Sequence, residues 1–210
     1  MNNSVWNKYE LSEIRNVDRL IPSQEILKKS YTDPEELFHE NLERVILSVQ
    51  KFKSVTDKFD IELKPGFSYA SMGADIGTLY FYQYLVKSSN YKSILEFGTY
   101  IGVSTLFWAE AVGTSGKVKT VEIGEEFCRI AKNNFEKNKA KNIEIINEDA
   151  VNAIKKFRKN KETFDCIFID AAKEVYDELL KLSIQCLKPG GTILIDDVFF
   201  QGEVLNKTIV

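Results

Sequence analysis

Carboxylates recur at the ends of short apolar runs in this sequence: Glu96 near the end of one run, then Glu122, Asp149, Asp170 and the adjacent pair Asp196-Asp197. The last three matter most. If the runs before them are neighbouring strands, Asp170, Asp196 and Asp197 converge, and their charges repel unless a cation or raised pKa values relieve them. A divalent cation is the simpler relief. An all-oxygen donor set with no cysteine or histidine close in sequence favours Mg²⁺, with Ca²⁺ or Mn²⁺ as alternatives. Such an ion can bind two adjacent oxygens of an acceptor molecule and lower the pKa of its hydroxyl. Lys173, three residues after Asp170, either receives the departing proton, which needs a depressed pKa, or is simply paired with the aspartates around it.

A second chemical feature is the stretch Ser93 to Thr105, Ser-Ile-Leu-Glu-Phe-Gly-Thr-Tyr-Ile-Gly-Val-Ser-Thr. It reads as strand, tight turn and helix start, with Gly98 and Gly102 at the turn. Glycine lets the backbone turn sharply and approach a ligand closely, and the free N–H groups of the new helix welcome an anion. The dinucleotide fingerprint places a glycine where this chain has Tyr100, so a pyrophosphate would be crowded. A nucleoside whose negative group is an amino-acid carboxylate suits the turn better, and S-adenosylmethionine is such a molecule. Glu122, at the end of the next apolar run, lies about where a Rossmann-type fold puts its ribose-binding acid.

Strands alternating with helices have to position these residues. After the glycine turn, strand-like runs at Lys117–Val121, Ile143–Ile146, Phe164–Ile169 and Thr192–Ile195 alternate with helical stretches over Glu125–Asn138, Val151–Lys159 and Glu174–Leu187. That alternation predicts an α/β fold, a Rossmann-like, doubly wound and mostly parallel sheet flanked by helices. Lys188-Pro189-Gly190-Gly191 reads as the break before the last strand. Upstream, residues 1–65 read as an N-terminal arm and a helix starting at Asp33-Pro34-Glu35-Glu36, packed on the core or on a partner subunit. Residues 66–210 read as the core, in a single domain overall. The loop from Phe67 to Met72 leads into an aromatic helix over Leu79–Val86 whose tyrosines read as packing.

Composition narrows the partners. A net charge of −3 gives no general attraction to nucleic acid or anionic membrane. No apolar run reaches membrane-span length, and the polar start has no leader pattern, so a cytoplasmic location with small-molecule substrates is expected. His39 is the only histidine and cannot build a metal site by itself. Cys128, Cys166 and Cys186 form no metal or redox pair.

Glu96–Thr105, Val121-Glu122, Glu148-Asp149-Ala150, Phe168-Ile-Asp-Ala-Ala-Lys173, Leu187–Gly191 and Ile195-Asp-Asp-Val198 with Gly202 together resemble the class I S-adenosylmethionine-dependent O-methyltransferases. The nearest branch is the cation-dependent caffeoyl-CoA and catechol group. The resemblance implies a cofactor site of Glu96, Gly98, Thr99, Tyr100, Gly102, Ser104, Glu122, Ile123, Asp149, Ala150 and Asp170. Ser104 would face the methionine carboxylate and Asp149 the adenine amino group. It implies a metal on Asp170, Asp196 and Asp197, the last standing where the family usually has asparagine, with Asp170 and Lys173 as catalytic residues and Met72 at the substrate. In the family an antiparallel strand pair follows the metal ligands, and this sequence ends at Val210 without it. The expected reaction is methyl transfer to a hydroxyl of a small catechol-like or phenolic acceptor, with S-adenosylhomocysteine as product, in a homodimer. A hydroxylated nucleoside of tRNA is the second acceptor reading, and a cofactor-binding scaffold without turnover is the third.

Overall fold

A strand buried on both faces needs a nearly unbroken apolar run, and the centre of this chain supplies two. The computed structural model describes residues 52–63 and 73–198. In it β1 (Ser93–Phe97) is buried from Ile94 onward and β4 (Phe164–Ile169) at every position except Asp165. They pair in parallel at the centre of a five-stranded sheet, with β2 (Lys117–Glu122) and β3 (Ile143–Asn147) on one side and β5 (Leu187–Ile195) on the other. The order β3-β2-β1-β4-β5 reverses direction between β1 and β4, the place where open parallel sheets bind ligands.

Helices α1 (Ile76–Ser88), α2 (Val103–Val112), α3 (Glu125–Lys137), α4 (Ala150–Lys159) and α5 (Tyr176–Ser183) accompany the strands. Each end has a local cause. Asp75 accepts from the Gly77 and Thr78 amides at the start of α1, and Asp149 caps α4 by accepting from the Asn152 amide. Glu125 and Glu126 open α3 and Lys137 closes it, in line with the helix dipole.

Strand alternation divides the core between the two sheet faces. Leu95, Phe97, Ile167 and Ile169 pack with Ile154, Leu179 and Leu182 on one. Ile94, Cys166 and Phe168 pack with Trp108, Val112 and Tyr82 on the other. Tyr82 stacks on Trp108 at 5.2 Å and the half-exposed Tyr80 sets its ring against Phe107 at 5.5 Å, as the packing reading of the aromatic helix expects, whereas Phe81 and Tyr84 face outward. All three cysteines are buried and free, and burial pushes the Cys166 thiol up to about 12.

Two boundaries differ from the sequence reading. The stretch expected as one helix over Glu174–Leu187 is a 3₁₀ turn (Lys173–Val175), α5, and a second 3₁₀ turn (Ile184–Cys186). The expected break at Lys188–Gly191 lies inside β5, which starts at Leu187 and carries a register irregularity opposite Phe164 and Cys166. A proline is tolerated on an outer strand at such an irregularity, and the Tyr91 hydroxyl ties the segment down by donating to the Gly190 carbonyl at 3.1 Å.

Contacts divide the chain into Met1–Thr78 and Leu79–Val210. In the first unit residues 52–56 are helical with Val55 buried, and Lys53 pairs with Asp57 at 2.8 Å. The N-terminal arm, the helix start at Asp33, His39, Met72 and Gly202 lie outside the described residues.

Gly98 follows β1 at φ +96°, and a Cβ built there would meet the Asp170 carbonyl oxygen at 1.9 Å. Rigid backbone cannot yield to that contact. Gly98→Ala is expected to lose about 3 kcal/mol or more in urea unfolding. Gly113→Ala, with positive φ but open space around it, should lose about 1 kcal/mol.

Candidate active site

The carboxyl ends of β1, β2, β4 and β5 bring the two halves of the site together. At the first half, β1 runs into a turn in which Tyr100 holds φ +50° and Gly102 φ +85°. A tyrosine in the left-handed region is strained, and its ring is braced against Phe127 with centroids 4.9 Å apart. Gly102 gives α2 no side-chain cap, so the first-turn amides of Val103, Ser104 and Thr105 have no intrahelical acceptor and suit an anion.

Glu122, at the end of β2, is fixed beside this turn. Its carboxylate accepts from the Tyr100 amide at 2.8 Å and from the Gly124 amide at 2.9 Å. Asn147 on β3 donates to the Glu122 and Ile123 carbonyls at 2.9 and 3.1 Å, which sets the chain direction there. Ile123 is 73% exposed, an apolar surface next to an oriented acid. Asp149 and Ala150 stand at the next strand end, with one Asp149 oxygen committed to capping α4.

Glu96 is the main correction to the sequence reading. It lies inside β1, not at the ligand edge, and is 0% exposed. Its carboxylate accepts from Ser104 Oγ at 2.7 Å, Thr105 Oγ1 at 2.5 Å, Trp108 Nε1 at 2.8 Å and Thr120 Oγ1 at 2.7 Å. Burial raises its pKa, and these hydrogen bonds oppose the rise. A carboxylate so enclosed positions the turn. Ser104 spends its hydroxyl proton on it, which leaves the Ser104 amide for an anion. Thr99 is also turned inward, 2.5 Å from Thr120 Oγ1.

The second half gathers Asp170, Lys173, Asp196 and Asp197. The Asp170 amide donates to the Phe97 carbonyl at 2.8 Å and the Asp196 amide to the Ile169 carbonyl at 3.0 Å, so the sheet ladder aligns these residues side by side. Burial and then the Asp196 charge raise the Asp170 pKa, while Lys173 pulls it down. The Lys173 ammonium lies 3.4 Å from Asp170 Oδ1 and 3.7 Å from Asp197 Oδ2, and donates to the Tyr176 hydroxyl at 2.5 Å. Burial lowers the Lys173 pKa, but the Tyr176 and Asp170 partners outweigh it and the net shift is upward. In this geometry Lys173 is paired with the aspartates and with Tyr176.

Among the described residues no three acidic, histidine or cysteine side chains converge on one point. Asp170 and Asp197 turn to the ammonium instead. The donor chemistry fits a hard divalent cation all the same: carboxylate oxygens only, one of them in a carboxyl destabilised as an anion, around a positive charge already supplied by Lys173.

Four residues of this arrangement escaped the sequence reading: Thr105, Trp108, Thr120 and Tyr176. Thr120 pairs in register with Glu96 across β1 and β2, so a polar residue at matching inward positions of neighbouring strands was the available signal. For Tyr176 it was the three-residue spacing from Lys173.

The sequence matches the O-methyltransferase family over residues 56–208. The chain belongs to the O-methyltransferase family. It is 30% identical to the catechol O-methyltransferase of Niastella koreensis over 60% of this chain and 58% of that protein. It is 30% identical to caffeoyl-CoA O-methyltransferase 5 of Nicotiana tabacum over 88% of this chain and 78% of that one. An O-methyltransferase from Bacillus cereus, solved in complex with S-adenosylhomocysteine, superposes with a TM-score of 0.63 at 31% identity, covering 66% of this chain and 64% of its own. The chain therefore spans little more than half the length of the Niastella relative and under two thirds of the Bacillus one. Among the described residues no helix is long and apolar enough to cross a membrane.

Glu96→Gln keeps the shape but offers one oxygen to four donors, and is expected to cost about 2 kcal/mol in urea unfolding. Because the folded-state pKa of Glu96 lies above the ordinary 4.5, the folded protein holds a proton that the unfolded chain releases. That stabilisation is complete below pH 4.5 and is lost as the pH rises through the folded value. The margin of the wild type over the Gln variant should shrink across this window, read as a falling difference in urea midpoint.

Proposed function

We propose that this member of the O-methyltransferase family transfers a methyl group from S-adenosylmethionine to a hydroxyl of a small catechol-like or phenolic acceptor, with a divalent cation at the aspartates. The observation that carries the reading is the Glu122 carboxylate, held by the Tyr100 and Gly124 amides beside the uncapped start of α2. An oriented acid next to a cluster of free amides answers the two polar ends of such a cofactor: ribose hydroxyls donate to Glu122, and the amino-acid carboxylate accepts from the first-turn amides. Ile123 offers the adenine an apolar face, and Asp149 and Ala150 border its rim. Gly98 lets the turn after β1 lie directly against the Asp170 backbone.

S-adenosylmethionine, when bound, would supply the methyl group from its sulfonium and leave as the neutral thioether of S-adenosylhomocysteine. Asp170, Asp196 and Asp197 would hold the cation, which would lower the pKa of an acceptor hydroxyl so that its proton can leave to solvent. The chain's own contribution is placement. Asp170 follows β4, next to Gly98, so the residue that would face the acceptor is tied to the turn that would hold the cofactor. Holding the two reactants in line is worth several orders of magnitude in rate. The catechol O-methyltransferase of Niastella koreensis supports a vicinal diol as the acceptor class.

The test is transfer of a labelled methyl group to a panel of catechols and phenolic acids, with Mg²⁺ and with a chelator. Transfer that the chelator abolishes is expected. Asp170→Ala should lower kcat at least about a hundred-fold while cofactor affinity changes less than about three-fold. An Asp170→Ala enzyme of ordinary activity would overturn the assignment of the aspartates.

A further inference from the structure

We infer that Lys173 is an internal counter-ion that a divalent cation must displace from Asp170 and Asp197, and that Tyr176 is the perch onto which its ammonium retreats. The inference rests on the cation site of the proposed function and adds what this chain does before the ion arrives. The ammonium stands 3.4 Å from Asp170 and 3.7 Å from Asp197. At those distances a fixed positive charge neutralises part of the field that would draw a cation in. It also crowds the oxygens that a cation would use.

An ammonium expelled into open solvent would lose every contact at once. Tyr176, the first residue of α5, prevents that loss. Its hydroxyl already accepts from Lys173 Nζ, and Nζ lies 4.6 Å from the centroid of its ring. A hydroxyl and a π-face together hold an ammonium without carrying a formal charge, so they retain Lys173 without competing for the cation. The 3₁₀ turn Lys173–Val175 sets the spacing that puts the two side chains in contact. Lys173 is three-tenths exposed, which leaves its flexible stem room to swing.

Direct binding of Mn²⁺ tests this, read by the loss of the free-ion electron paramagnetic resonance signal, without turnover. Removing the competitor in Lys173→Met is expected to tighten Mn²⁺ binding at least about ten-fold. Removing part of the perch in Tyr176→Phe should weaken it several-fold, because the ammonium then stays on the carboxylates. In the double variant the Tyr176 effect should vanish, since there is no ammonium left to hold. Lys173→Gln, closer in polarity, guards against a folding defect in the Met variant, with S-adenosylhomocysteine affinity as the check of an intact site. Weaker Mn²⁺ binding by both Lys173 variants, or a Tyr176→Phe effect of equal size with and without Lys173, would overturn the inference and leave the cation site standing. No Mn²⁺ binding by any form, Lys173→Met included, would overturn both.

Discussion

A carboxylate sealed inside a protein must be met by donors, and Glu96 is met by four that come from two elements besides its own strand. Ser104, Thr105 and Trp108 belong to α2 and Thr120 to β2, while Glu96 itself sits in β1. Leaving even one such group unpaired costs roughly 1–3 kcal/mol, so strand, following helix and neighbouring strand are bound to one relative placement. The turn between β1 and α2 has no freedom to relax. Strain at Tyr100 persists because the surrounding structure over-determines it. Every group that would touch the cofactor on this side depends on that turn being where it is.

The same constraint reaches the second half of the site through backbone packing. Gly98 leaves β1 with its Cα against the Asp170 carbonyl, and the Asp170 amide bonds to the Phe97 carbonyl. The turn and the aspartates are therefore positioned by one sheet ladder, not by independent loops. A site built on strand ends keeps its geometry more tightly than one built on loops. Lys173 and Tyr176 are set on a short 3₁₀ turn and a helix start just beyond this edge.

The parallel α/β sheet and most element boundaries were legible because parallel strands advertise themselves as apolar runs and their connecting helices as caps and periodicity. Phe164–Ile169 coincides with β4 for this reason. Pro189-Gly190-Gly191 misled because proline and glycine mark turns far more often than they mark an irregular outer strand. The strand-end acids were visible one by one, but sequence gives no direction to a side chain. Glu96 looks like its neighbours on the page, yet lies inside the sheet, and only the register with Thr120 reveals that its partners are internal. The ammonium between Asp170 and Asp197 was open to two readings because spacing alone does not say whether a lysine is paired or poised. The distances show the pairing.

The central claim is that the turn after β1 and the acid after β2 form one cofactor site. Calorimetric titration of S-adenosylhomocysteine into the full chain and into Glu122→Ala tests it most directly, with no choice of acceptor or metal involved. Binding to the wild type, weakened at least about ten-fold in the variant by loss of charge-assisted hydrogen bonds, is the expected result. Equal affinity in the two proteins, or no binding to the wild type, would contradict the account.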